Sequence, residues 1–119
     1  MSCSIMLEKA KDFAVEIITL CKNVKAEKHE SVMTNQLIRS GTSIGANIHE
    51  SKYGHSTADF IAKMQIALKE CYESEYWLEL LNRTDYISDE QYKSLRNSCG
   101  AIRRMLIASI NTVSSNSEA

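Results

Sequence analysis

The sequence predicts an all-α chain folded as an antiparallel up-and-down four-helix bundle. Three observations predict it. The 119 residues contain no proline and only four glycines, so little interrupts a long helix. Four segments repeat apolar side chains every three or four positions, the spacing of one helical face, and none alternates as a strand would. The stretches between them are short and polar, which sets consecutive helices side by side and antiparallel. The length suits one domain with its own core.

The first helix is predicted over residues 5–24. Met6, Ala10, Phe13, Ile17, Leu20 and Val24 form its stripe, widened by Ala14, Ile18 and Cys21, with Glu8, Lys9, Lys11, Asp12, Glu16 and Lys22 on the other side. Lys25 to Glu30 is charged and poor in apolar residues, and reads as a connection. Over residues 32–53 a second stripe runs through Met33, Leu37, Gly41, Ile44 and Ile48. The third helix, residues 57–83, opens with Ser56 or Thr57 as N-cap and Asp59 in the first turn. Its core face is Phe60, Met64, Ala67, Cys71 and Leu78, joined by Ile61, Leu68 and Tyr72. Ser88 and Gln91 make a capping box for the fourth, residues 89–113. That helix carries Tyr92, Leu95, Cys99, Ile102, Leu106 and Val113, with Ser109 or Ile110. Residues 114–119 are expected to be a flexible tail.

Composition excludes several function classes. Hydrophobic residues at 44% and charged ones at 24% are ordinary for a soluble chain. A net charge of −1 and a pI near 6.3 give no global attraction to nucleic acid or anionic membrane. The start, MSCSIMLEKAKD, lacks the apolar run of a signal peptide, and no segment approaches the roughly 18 apolar residues of a membrane span. Cys3, Cys21, Cys71 and Cys99 form no C-x-x-C and read as reduced thiols. A cytoplasmic location without a membrane partner follows, and the sequon Asn82-Arg83-Thr84 then has no use.

The stretch RSGTSIGANIHESKYG, residues 39–54, tests three site chemistries. A phosphate-binding P-loop needs G-x-x-x-x-G-K-[ST] after a strand, whereas Gly41 and Gly45 are one residue too close, with no lysine following. HESKYGH looks like the zinc pattern H-E-x-x-H. However, His49 and His55 lie six apart, about 240° around a helix, and Gly54 is expected to end the helix between them. The glycines instead predict close helix packing, since a mid-helix glycine costs about 1 kcal/mol against alanine. Gln36, Arg39, Ser43, Asn47 and Glu50 share about 80° of arc. They predict a polar seam, lying either on the third helix or on a neighbouring subunit. Glu75 stands on the apolar side of the third helix, where a bare carboxylate would cost several kcal/mol. Arg39 is its expected partner, with Asn47 the alternative.

No triad, metal cluster or cofactor loop is present, so no catalytic, metal or cofactor-binding residue is named and no enzyme is expected. The best case for a partner surface is the fourth helix. Lys93, Arg96, Arg103 and Arg104 fall within about 100° of arc, with no acidic residue from Gln91 to Val113. Glu70, Glu73, Glu75 and Glu79 on the third helix oppose that charge, and no aromatic residue is read as interleaving it. Tyr72, Tyr76, Trp77 and Tyr86 cluster near the end of the third helix, as core or as an oligomer contact.

QLIRSGTSIGANIHE (residues 36–50) and DFIAKMQIALKECYESEYWLELL (residues 59–81) closely resemble the bacterial "four helix bundle protein" family. Its members were noticed as reading frames inside intervening sequences of 23S ribosomal-RNA genes. The resemblance spans about residues 11–113. It implies an up-and-down bundle and a homopentameric ring. A more distant similarity is to the accessory variability protein of diversity-generating retroelements, whose ring binds nucleic acid and a reverse transcriptase. Many relatives have proline where this chain has Gly45, which implies a straighter second helix here. The resulting expectation is a non-enzymatic oligomeric adaptor. Its partners would be itself and RNA, DNA or a nucleic-acid-processing protein, without cofactor or small-molecule substrate. The rival is a structural or protein-interaction oligomer with no nucleic-acid affinity.

Overall fold

The computed structural model describes residues 3–118. Four helices run through them: α1, Cys3–Lys28; α2, Val32–Ser51; α3, Thr57–Arg83; α4, Asp89–Glu118. Each packs on the next and α4 returns to α1, while the backbones of the diagonal pairs stay apart. This is the square of an up-and-down bundle. Its extents are 52 × 22 × 19 Å, the long axis following from α4, whose 30 residues span about 45 Å. Among the described residues there is no strand.

Several helix boundaries differ from the sequence reading. Lys25 to Lys28 is not a link: α1 continues through it. Those residues are good helix formers, and the chain reverses only at His29, whose φ is 57°. Likewise α4 does not stop at Val113 but stays helical to Glu118, because each added residue brings one hydrogen bond and no glycine or proline intervenes. Ala119, the last residue of the expected tail, lies outside the described residues. The end of α2 is Ser51, and Gly54 beyond it has no positive φ, so Gly54 is not the helix terminator.

The local capping signals are realised. Ser56 Oγ accepts from the Asp59 amide at 3.1 Å, and the Ser88–Gln91 box closes both ways, at 2.9 and 3.1 Å. One cap is invisible to pattern reading. Ser31, at the N-cap of α2, makes no side-chain cap bond. Glu30, 8% exposed, does so instead: its two carboxylate oxygens accept the amides of Met33 and Thr34 at 2.7 and 3.0 Å. The Thr34 hydroxyl donates back to the Glu30 carbonyl at 3.0 Å. At the same end Lys28 Nζ donates to the carbonyls of Asp85 and Tyr86, tying α1 to the α3–α4 link.

The core is built from Met6, Phe13, Ile17, Leu37, Ile44, Ile48, Met64, Leu78, Ile102 and Leu106, all under 2% exposed. Each such side chain contributes about 1.5–3 kcal/mol through its burial. Cys21, Cys71 and Cys99 are free and buried, and Cys99 Sγ donates to the Cys71 carbonyl across α3 and α4. Burial pushes the Cys21 thiol up to about 12, so it behaves as a small apolar side chain. Among the described residues no buried side-chain N or O lacks a partner. Ser40 and Ser74 satisfy each other at 2.9 Å between α2 and α3.

Both glycines of α2 face α1. A Cβ on Gly41 would stand 3.1 Å from Ile17 Cγ2, whereas one on Gly45 would meet Ala10 Cβ at an ordinary 3.5 Å. The two positions therefore respond differently to alanine. Gly45→Ala is expected to raise stability by about 0.5–1 kcal/mol through helix propensity. Gly41→Ala gains the same propensity but must displace the buried Ile17, and is expected to be neutral or destabilising. Denaturant melts of the two variants check this; an equal gain in both would contradict it.

Candidate nucleic-acid interface

The polar ladder of α2 lies against α3 of the same chain. Arg39 bridges the two helices, pairing with Glu70 at 3.2 Å and with Glu73, while its Nε donates to Gln36 Oε1 at 3.3 Å. Trp77 Nε1 donates to Glu73 at 2.9 Å. Asn47 donates within α2 to the Ser43 carbonyl and hydroxyl, and Lys63 bonds Glu50 at 2.8 Å. That bond holds the Glu50 carboxyl below its ordinary range. Two rungs of the ladder, Arg39 and Glu50, thus reach α3 of the same chain, whereas Gln36, Ser43 and Asn47 bond within α2.

The expected Arg39–Glu75 bridge does not form, nor does the Asn47 alternative. Glu75 instead accepts from Arg103 Nε of α4 at 2.9 Å. The reason is helical phase: Glu75 is five residues beyond Glu70, about 140° further round. Glu70 and Glu73 therefore face α2 while Glu75 faces α4. Tyr72 is likewise not core, being 51% exposed.

That rearrangement reshapes the basic face of α4. The Arg103 guanidinium lies 5.5 Å from the centroid of Tyr72, and Arg96 lies 5.2 Å over Tyr92. Aromatic rings do interleave the patch, contrary to the sequence reading. The signal for one was present, since Tyr92 and Arg96 are four apart and so neighbours on a helix. Tyr72 arrives from α3 and could not be placed from spacing. Arg103 is tied: its hydrogen bond to Glu75 chiefly raises its pKa above the ordinary value, against the effect of burial. Lys93, Arg96 and Arg104 make no ion pair among the described residues.

Gly100 sits at the centre of this face. A Cβ there would meet Arg104 Nη1 at 3.3 Å and Arg103 Nη2 at 3.4 Å, so two guanidiniums converge over a position without a side chain. Such a cluster offers several N–H donors in fixed fork geometry, suited to a phosphate. The cluster at the end of α3 divides: Tyr72 and Tyr76 face solvent, whereas Trp77 and Tyr86 pack partly buried against the core.

Among the described residues no group of three or more His, Cys, Asp or Glu could hold a metal ion. His49 and His55 are exposed, and His49 packs edge-on to Tyr53 at 5.5 Å. No described helix is long and apolar enough to cross a membrane.

The family model for the 23S rRNA-intervening sequence protein matches residues 4–108, most of the chain. The chain belongs to this family. A solved structure agrees: the 1.70 Å crystal structure of a protein with unknown function from the S23 ribosomal protein family of Bacteroides thetaiotaomicron VPI-5482. It is 50% identical, with a TM-score of 0.91, covering 93% of this chain and 99% of its own. No curated protein matches. For this intervening-sequence family member, the architecture is therefore shared with a relative of unknown function.

Proposed function

We propose that this intervening-sequence protein is a non-enzymatic, cytoplasmic binding protein that contacts nucleic acid through the α3–α4 face. In this reading it works as a homo-oligomer, a pentameric ring on the family resemblance, so that one modest basic face is repeated around the assembly. The supporting observation is the convergence of Arg103 and Arg104 over Gly100, beside Lys93 and the Arg96–Tyr92 stack. Unpaired cations supply phosphate affinity, and the tyrosine rings supply stacking surface for bases. Nucleic acid itself, or a nucleic-acid-processing protein holding it, is the partner.

Glu75 works against this surface by neutralising Arg103. Glu75→Gln is thus expected to move two properties in opposite directions. Loss of a part-buried ionic hydrogen bond lowers stability by about 1.5 kcal/mol, while release of Arg103 strengthens nucleic-acid binding about three- to tenfold at low salt. Electrophoretic shifts with structured RNA and DNA, run beside a thermal melt, check both. The wild type should shift at low salt and lose the shift as salt rises.

A second reading is favoured by the net charge of −1 and by acids beside the basic face, Glu75 on Arg103 and Glu79 on Arg83. There the chain is a protein-interaction oligomer without nucleic-acid affinity. Absence of any shift at low salt selects it.

A further inference from the structure

Two arginines of α4 are each set against a tyrosine ring. Arg96 lies 5.2 Å over Tyr92 of its own helix, and Arg103 lies 5.5 Å over Tyr72 of α3. Arg96 and Arg103 are seven residues apart. They therefore share one side of α4 within about 20° and stand about 10.5 Å apart along it. Tyr72 and, four residues on, Tyr76 are 51% and 55% exposed, which leaves two large rings in water one turn from each other.

The charge on this face is modest. Lys93, Arg96 and Arg104 make no ion pair among the described residues, while Arg103 is held by Glu75 at 2.9 Å. The other acids that border it are partnered too: Glu79 pairs with Arg83 at 3.0 Å, and Asp89 accepts from Asn82 at 2.9 Å. Cations so hemmed by carboxylates give phosphates only a weak hold, so the rings must contribute the rest. A duplex cannot use them, because its bases are stacked on one another about 3.4 Å apart and show their faces to nothing else.

We propose that this face selects unpaired nucleotides, in a single strand or in the loops of a folded RNA, over duplex; the inference rests on the nucleic-acid reading above. A base stacks equally on an aromatic ring or on a guanidinium plane. The face offers both: the exposed Arg96 backed by Tyr92, and the half-exposed Tyr72 beside Arg103. Their separation of about 10.5 Å is roughly three base steps of a stacked strand, a spacing that suits bases splayed out of the stack. Gly100 lies between the two platforms in sequence and carries no side chain to obstruct a strand. Arg104, whose guanidinium meets that of Arg103 over this glycine, is placed to hold the connecting phosphate.

Three probes of one length separate stacking from charge. They are an RNA strand of mixed sequence, that strand annealed to its complement, and an abasic strand with the same phosphates but no bases. Charge alone would favour the duplex, the densest in phosphate. The wild type is instead expected to bind the single strand roughly tenfold more tightly than either of the others at equal salt. Tyr72→Leu with Tyr92→Leu keeps an apolar side chain where Tyr92 meets the core. It should weaken single-strand binding about ten- to hundredfold, leaving duplex and abasic binding and the salt slope unchanged. Tyr72→Phe with Tyr92→Phe should restore the preference. Thermal melts report whether the variants fold; if the leucine pair does not, the exposed Tyr72→Leu alone should still cost about fivefold. Three results overturn this selectivity and leave nucleic-acid binding standing: a duplex bound as tightly as the single strand, leucine variants that weaken all probes alike, or a preference that survives loss of the rings. No binding of any probe at low salt overturns both.

Discussion

Glu30→Ala is expected to lower stability by about 2 kcal/mol, the largest single-residue effect predicted for a polar position. Its carboxylate caps α2 from before the helix, taking the Met33 and Thr34 amides that Ser31 leaves unserved. One buried and one part-buried donor lose their acceptor in the variant, and a lost cap costs about 0.5–2 kcal/mol before any such penalty. The effect carries a pH signature. Burial alone would raise the Glu30 pKa, but the amides of Met33, Thr34 and Val32 and the Thr34 hydroxyl together outweigh it and hold the group below its ordinary 4.5. A group depressed on folding contributes stability above its unfolded pKa and loses it as pH falls through the folded one. The difference between wild type and Glu30→Ala should therefore be full at neutral pH and shrink below about pH 4.5. Glu30→Gln, which retains one carbonyl acceptor and cannot ionise, should fall between them and show no such dependence. Denaturant melts from pH 7 to pH 3 read all three; a gap that stays constant with pH would show that the carboxylate is not the cap.

The largest effect on binding is expected from reversing Arg96 and Arg104 together. Both are exposed and, unlike Arg103, make no ion pair among the described residues. Two unit charges 4 Å apart interact by about 1 kcal/mol in water. Replacing two attractive phosphate interactions with repulsive ones removes about 4 kcal/mol and should thus weaken nucleic-acid binding on the order of 1000-fold at low salt. Stability should change by less than about 0.5 kcal/mol, as for surface substitutions away from the core. Loss of binding with unchanged melting is the pattern that separates a contact surface from a structural one.

Features set by neighbours in sequence were legible in advance. The Ser88–Gln91 box, the span of α3 and the α2 glycines follow from capping chemistry and helical period, which act over a single turn. Arg39 shows where that reasoning stops. Period places Arg39 on a polar stripe but leaves the phase of α3 open, and a five-residue error between Glu70 and Glu75 exchanges one neighbouring helix for another. Tyr72 fails for the same reason, assigned inward by spacing although it lies near the boundary of the α3 core face. Glu30 was hidden because a cap from outside the helix has no fixed pattern.

The α4 surface is the central claim, and salt dependence tests it most directly. Affinity for a structured RNA should be measured across salt for the wild type and for Arg96→Glu with Arg104→Glu. The wild type is expected to show log affinity falling linearly with log salt. The variant should show a slope shallower by about 1.5–2, because two phosphates are no longer neutralised by arginine. Equal slopes, or a wild type that does not bind at low salt, would contradict the assignment of this face to nucleic acid.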